Sequence, residues 1–272
     1  MRIIEQWCRG KRDDQSLNED GLVVTDDFAA VVDGVTSKSV LRLWHPSGGV
    51  VARSIVLDAI VSLPGAAAMR DGQKAIDARL RDRYRERGED VCAIMDREPV
   101  ERLQANAVVY SVRRREAWLF GDCQIMVNGV RIPTTKRGDE LLGELRAFTA
   151  LALREQGGPV RSPDPAREMI VPFLRLQTRF ANRRGPYGYF VFDGYTDPDY
   201  PVRTVRVDPG DEVVLASDGY PLLAPTLEAS ERELRRLQRE DPDLIGPEYR
   251  STKGFAPGFD SFDDRTYLRF VA

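Results

Sequence analysis

The chain has 272 residues, 42% of them hydrophobic and 31% charged, which suits one globular domain with a substantial core and no stretch that reads as a linker. Its 40 lysines and arginines nearly balance 43 aspartates and glutamates, leaving a net charge of −3 and excluding a broadly cationic surface for nucleic acid or anionic lipid. Neither a membrane span nor a signal peptide is expected, for want of a long apolar run or a basic-then-apolar leader, and three scattered cysteines point to a reducing, cytoplasmic setting.

In chain order, Gly21-Leu22-Val23-Val24-Thr25 and Phe28-Ala29-Ala30-Val31-Val32 flank the turn-forming Asp26-Asp27 and predict a β-hairpin. Residues 51–63 place Ala52, Ile55, Val56, Ala59, Ile60 and Leu63 at helical spacing, so a helix should lay that face on a sheet. Residues 71–88 are charged, with Ile76, Leu80 and Tyr84 as sparse apolar positions, and read as a surface helix. Strands are expected at 105–112, 116–120 and 124–130 as an antiparallel meander, with Arg113-Arg114-Arg115 as a solvated turn. A helix over 139–156 carries Leu141, Leu145, Phe148 and Ala152 on one face and stops at Gly157-Gly158-Pro159.

Asp164-Pro165 suits the cap and first turn of another helix reaching toward Asn182, with Pro172 implying a kink or a later start. Residues 183–200, rich in Gly, Pro, Tyr and Asp, read as a loop or a substrate-facing excursion rather than a linker. Strands at 202–207 and 212–216 flank Asp208-Pro209-Gly210-Asp211, a charged helix spans about 226–240, and 265–271 makes a last strand. Hairpin-linked strands with inserted helices favour an α+β fold of antiparallel sheets covered by helices over a doubly wound parallel sheet.

His45 is the single histidine, which rules out a His-rich zinc or iron site and a pair of histidine bases. Cys8, Cys92 and Cys123 match no zinc spacing and read as buried free thiols, with a Cys8–His45 or Cys123–His45 pair as the alternative. Any metal chemistry must then rest on oxygen ligands. Acidic residues recur at strand ends: Asp33-Gly34, Gly121-Asp122, Ser217-Asp218-Gly219 and Asp263-Asp264. Each alone is a common turn signal. Gathered at one sheet edge, they would raise one another's pKa unless a cation compensates, and Mg²⁺ and Mn²⁺ take such ligands. A glycine after Asp33 leaves its own carbonyl free to approach an ion.

Asn18-Glu19-Asp20, Val31-Val32-Asp33-Gly34, Ala105-Asn106-Ala107 with Gly121-Asp122, Leu215-Ala216-Ser217-Asp218-Gly219 and Asp263-Asp264-Arg265-Thr266 follow one another along nearly the whole chain. In these motifs and their order the chain resembles the PP2C (PPM) family of metal-dependent serine/threonine phosphatases. The resemblance implies a single domain over 1–272, folded as a four-layer αββα sandwich of two antiparallel sheets flanked by helices. It implies two Mg²⁺ or Mn²⁺ ions and a weaker third. Asp33 would bridge the first two, Gly34 would offer its carbonyl to the second, and Asp218 and Asp263 would hold the first. Asp20, with Glu19 beside it, would reach the second ion, and Asp122 would serve the third.

No side chain would act as nucleophile, since a metal-held water kept by Asp33 attacks phosphorus. The implied substrate is a phosphoserine/phosphothreonine protein or a small phosphorylated metabolite, with a catalytically weak or inactive pseudophosphatase as the alternative. A hydrolase using paired carboxylates without metal is a third reading. The chain departs from the family near the substrate: Gln15 replaces a phosphate-gripping arginine, Val35-Thr36-Ser37-Lys38-Ser39 replaces a glycine-rich segment, and Cys123-Gln124 follows Asp122. Arg12, or Lys11 beside it, and Lys38 are therefore the candidate phosphate contacts.

Overall fold

Along Phe28–Gly34 the side chains alternate, Phe28, Ala30 and Val32 to one side and Ala29 and Val31 to the other, and both sides are buried. A strand apolar on both faces must lie between two other layers. The computed structural model, which describes residues 1–134, 136–157 and 164–272, shows what those layers are.

The elements run β1 (Arg2–Arg9), β2 (Asp20–Val24), β3 (Phe28–Gly34), α1 (Gly48–Val61), α2 (Met69–Glu86), α3 (Glu89–Arg97), β4 (Ala105–Ser111) and β5 (Glu116–Phe120). They continue with β6 (Gln124–Val127), β7 (Val130–Ile132), α4 (Arg137–Glu155), α5 (Pro165–Gln177), β8 (Arg203–Arg206), β9 (Glu212–Ala216), α6 (Leu227–Glu240) and β10 (Arg265–Val271). One sheet has the order β1-β10-β9-β6-β7 and the other β2-β3-β4-β5-β8, and every named pairing is antiparallel.

Between the sheets, Val31, Val108 and Leu119 meet Ile125, Leu215, Leu268 and Phe270 in a shared core. On the outer face of the second sheet, Phe28, Val32, Trp118 and Phe120 receive Val56 and Ile60 of α1 and Ile76, Leu80 and Tyr84 of α2. On the outer face of the first, Met126, Val214 and Tyr267 pack with Tyr220, Leu223 and Leu227 at the start of α6. The result is the αββα sandwich. Side chains that cap the helices fix where they begin: Ser47 accepts from the Val50 amide, Asp164 from that of Arg167 and Thr226 from that of Ala229. Among the described residues no helix is long and apolar enough to cross a membrane.

Several local expectations change. The meander ends after two strands, because β6 leaves for the other sheet and pairs with β9. Asn128 and Gly129, both at positive φ, then turn the chain into a separate β7. The opening segment is β1 on the edge beside β10, and a short helix, α3, follows Gly88.

Helix α4 turns its large apolar side chains outward, with Leu141 at 53% and Phe148 at 70% exposure. The buried stripe is Leu142, Gly143, Arg146, Ala147, Thr149 and Ala150. The buried Arg146 decides this orientation: its Nε and Nη2 donate to Asp164 at 2.9 and 2.5 Å, and its Nη1 to the carbonyls of Asp243 and Ser251. The small side chains beside it let Ala166 of α5 and Ile245 come close. Gly157 ends α4 at φ +72°, while Gly158 and Pro159 lie outside the described residues. Only Cys123 of the three cysteines is buried; Cys92 is half-buried and Cys8 exposed.

Candidate metal centre

The hairpin of β2 and β3 sets Asp20 directly opposite Asp33, and β4 sets Asn106 on the other side of Asp33. Asp218 follows β9, Asp263 stands just before β10, and Asp122 lies where the chain passes from β5 to β6 and so between the sheets. Antiparallel pairing carries these strand ends to one end of the sandwich. Asp33, Asp122, Asp218 and Asp263 line one cavity of about 250 Å³, together with Lys38 and Lys136.

Burial and mutual repulsion dominate the electrostatics. Burial, then the Asp218 and Asp20 charges, push Asp33 well above the usual carboxylate range. Asp20, only 1% exposed, is driven the same way by burial and by Asp264, Asp263 and Asp218, although Ser217 hydrogen-bonds to it. Its Oδ2 accepts from Thr266 Oγ1 at 3.1 Å. Asp218 is raised to about 7 by burial, Asp263 and Asp122. Burial also raises Asp122, against the pull of Lys136, whose Nζ lies 3.4 Å from Asp122 Oδ2. The Asn106 amide donates to the other Asp122 oxygen.

Asp263 goes the opposite way. Burial would raise it, but the ammonium groups of Lys11 and Lys253 outweigh that and hold it well below the usual range. Lys11 Nζ lies 2.9 Å from Asp263 Oδ1, 3.4 Å from Asp264 Oδ2 and 3.7 Å from Glu19 Oε2, and Lys253 pairs with the other Asp263 oxygen. Asp264 is not among the residues lining the cavity and ties two chain segments together, accepting from the amides of Lys11 and Glu19 at 2.8 and 2.9 Å.

Glu19, which the resemblance mentions only beside Asp20, is the residue that joins Gly34. Its Oε1 accepts from Ser47 Oγ at 2.7 Å and its Oε2 from Thr36 Oγ1 at 2.5 Å. A Cβ built on Gly49 would stand 2.5 Å from Glu19 Oε1 and 2.7 Å from the Gly34 carbonyl oxygen, so the two oxygens converge on one point. Gly34 is itself wedged against backbone, since a Cβ there would overlap Gly49 O and approach Glu19 O at 2.7 Å.

Of the candidate phosphate contacts, Lys11 is taken up by Asp263, Asp264 and Glu19, and the other two separate. Lys38 lines the cavity, its Nζ donating to Thr36 O at 2.5 Å. Arg12 is not among the residues lining it; its guanidinium sits over the Phe259 ring at 5.4 Å. Gln15 closes a local loop, accepting from the Gly10 amide at 2.8 Å and donating to Arg12 O at 2.5 Å. His45 is exposed and away from the cavity lining.

The donors fit a hard divalent cation in kind: all are oxygens, and Asp20, Asp33 and Asp218 carry raised pKa values that a cation would relieve. As placed, no three Asp, Glu, His or Cys side chains among the described residues stand close enough to enclose an ion. Two lysines already neutralise Asp263, so Asp20, Asp33 and Asp218 form the part of the centre most in need of positive charge.

No protein-family model and no curated protein matches the chain. Among solved structures it is similar to the catalytic domain of the serine/threonine protein phosphatase PstP in complex with two manganese ions, at 15% identity, TM-score 0.50, and coverage of 99% of this chain and 98% of that one. It is also similar to the serine/threonine phosphatase Stp1 from Staphylococcus aureus, again at 15% identity and TM-score 0.50, over 100% of this chain and 95% of that one. Two antiparallel five-stranded sheets, flanked by helices and matched end to end with these proteins, give the chain the fold of the PP2C (PPM) serine/threonine phosphatases.

Proposed function

We propose that the chain is a Mg²⁺- or Mn²⁺-dependent phosphomonoester hydrolase acting on a phosphoserine/phosphothreonine protein or a small phosphorylated metabolite. One observation carries this reading: five aspartates from both sheets converge at one end of the sandwich, and four of them are raised in pKa by burial, with Asp20, Asp33 and Asp218 raised further by other aspartates of the group. Such a group is held at a cost unless it serves a cation. Asp33 and Asp218 would hold the ions, with Asp20, Asp263, Glu19, the Gly34 carbonyl and Asp122 around them. Bound there, the metals would neutralise charge on the phosphoryl oxygens and supply a water of lowered pKa as nucleophile.

The chain's own residues position and protect that chemistry. Thr266 Oγ1 orients Asp20, while Asn106 and Lys136 hold the two oxygens of Asp122. Lys38 faces the same cavity and attracts a phosphoryl dianion. The Cys123 thiol is buried and pushed well above its ordinary pKa by burial and the surrounding aspartates, which leaves it unsuited as a nucleophile. Hydrolysis of an aryl phosphate with Mn²⁺ is the test. Activity should vanish with EDTA and fall at least about 100-fold in Asp218→Asn, as expected when a group that stabilises transition-state charge is lost; turnover that survives that substitution would sink the mechanism.

A second reading, a catalytically inert module that binds a phosphorylated partner, is favoured by the two lysines on Asp263 and by Gln15 serving only its own loop. It expects phosphate binding by calorimetry with no turnover on a panel of phosphoesters.

A further inference from the structure

The hairpin of α4 and α5 leaves large apolar side chains in solvent. On α4, Leu141, Leu145, Phe148 and Ala152 recur at intervals of four, three and four residues. On α5 and the helical turn Thr178–Phe180 that extends it, Met169, Phe173, Leu176 and Phe180 recur at the same intervals. Leu145 is half-buried and the others are exposed. Such spacing sets four side chains in one line along a helix. The helices run antiparallel: Gln177 Nε2 at the end of α5 donates to Asp139 Oδ1 at the start of α4 at 2.7 Å, and Arg146 grips Asp164 at the α5 cap. Leu145 packs with Leu142 against Ile170 and Leu174, which brings the α4 line beside the seam between the helices. None of these eight residues lines the cavity of the carboxylate centre, so that cavity and this face are separate.

Area and charge both point to a second copy as what covers this face. Leu141, Phe148, Met169, Phe173, Leu176 and Phe180 each keep about half or more of their surface in solvent, roughly 600 Å² of apolar area together. That is the upper limit for the largest apolar patch of a monomer, and a polar rim brings it near the roughly 800 Å² per partner of a stable dimer. At the end where α4 begins and α5 stops, α4 exposes Glu140 and Glu144 while α5 exposes Arg175 and Arg179. A two-fold axis along the hairpin lays each α4 on the α5 of the other copy and brings these acids to these arginines. Inside their own chain Glu144 and Arg179 have only surface partners, Arg250 and Glu98. That axis leaves Glu155 and Glu168 alike in charge at the opposite end, whereas a two-fold axis across the hairpin would set Glu140 and Glu144 against Glu155.

We propose that α4 and α5 pair with the same two helices of a second copy of this chain, forming a four-helix bundle about a two-fold axis along the hairpin. The apolar lines of the two copies interdigitate at its centre, and the acidic and basic flanks set the pairing of α4 with α5. The inference does not depend on the hydrolase reading.

Sedimentation velocity of the full chain is the test. Wild type at about 100 µM, above the micromolar end of affinities for an interface of this size, should sediment with twice the monomer mass. Phe148→Glu and Phe173→Glu put a charge at the centre of the interface and should each weaken self-association at least about 30-fold, the loss typical of a central aromatic anchor. Both phenylalanines are exposed in the single chain, so melting curves taken dilute enough for every form to be monomeric should match wild type and show an intact fold. A wild type that is monomeric at that concentration, or a dimer that both variants leave unchanged, would overturn the proposal. A monomeric wild type that co-sediments with phosphatidylcholine vesicles would overturn it in favour of a lipid surface.

Discussion

Asp218 and Asp263 carry the same side chain into the same cavity and titrate in opposite directions, because Asp218 faces other aspartates while Asp263 faces Lys11 and Lys253. Away from the centre, Asp77 on α2 is pushed up to about 8 by burial and the Asp193 charge, with only Arg81 and the Gly194 amide pulling it down. An unfolded aspartate titrates near 3.9. The folded form therefore holds its proton more tightly, so the stability it contributes is complete below about pH 4 and is lost as pH rises through about 8. Asp77→Asn keeps an acceptor for Gly194 and cannot ionise. Its melting temperature should exceed that of wild type by roughly 3 °C or more at pH 8, with the gap narrowing toward pH 4, since 1 kcal/mol is worth about 2–4 °C in a protein of this size. Calorimetric scans across that range that show a constant gap would remove the buried charge as the cause.

At the level of elements, both Asp-Gly steps at the centre are places where backbone crosses backbone. A Cβ on Gly34 would overlap the carbonyl oxygen of Gly49 at the start of α1, and one on Gly219 would overlap the carbonyl oxygen of Asp264 before β10. Neither glycine sits at positive φ, so close approach and not a special dihedral demands it. Overpacking of this kind costs about 1–3 kcal/mol, and Gly34→Ala and Gly219→Ala should each lower the melting temperature by roughly 5 °C or more. Circular dichroism melts that match wild type would show that the strand ends can part freely. The same hairpin register that sets Asp20 opposite Asp33 continues to Glu19, whose carbonyl accepts from the Gly34 amide at 2.9 Å, and Gly49 of α1 packs against both.

Across the whole molecule, the centre joins Lys11 near one end to Asp263 and Asp264 near the other and draws on both sheets. An ion that bridges such a centre binds the native state and not the unfolded chain, so it should stabilise the fold by mass action. At about a hundred times its dissociation constant, Mn²⁺ should raise the melting temperature by roughly 5–10 °C. The shift should shrink in Asp33→Asn, and differential scanning calorimetry that finds no metal-dependent shift in wild type would speak against a metal centre.

Most of the strands and the first helix were legible in the sequence because period-two and period-3.6 patterns are local, and Phe28–Gly34 and Gly48–Val61 bury most of the side chains that their spacing nominates. So was the supply of strand-end aspartates in an order that resembles one family. Tertiary structure alone decided that β6 changes sheets, that α4 buries Arg146 and exposes Phe148, and that Arg12 rests on Phe259 while Lys38 faces the cavity. It also decided which carboxylates are compensated by lysine and which only repel one another. Periodicity is a property of neighbours along the chain, whereas the charge state of a buried group depends on neighbours in space, such as Lys11 beside Asp263, that no local pattern brings together.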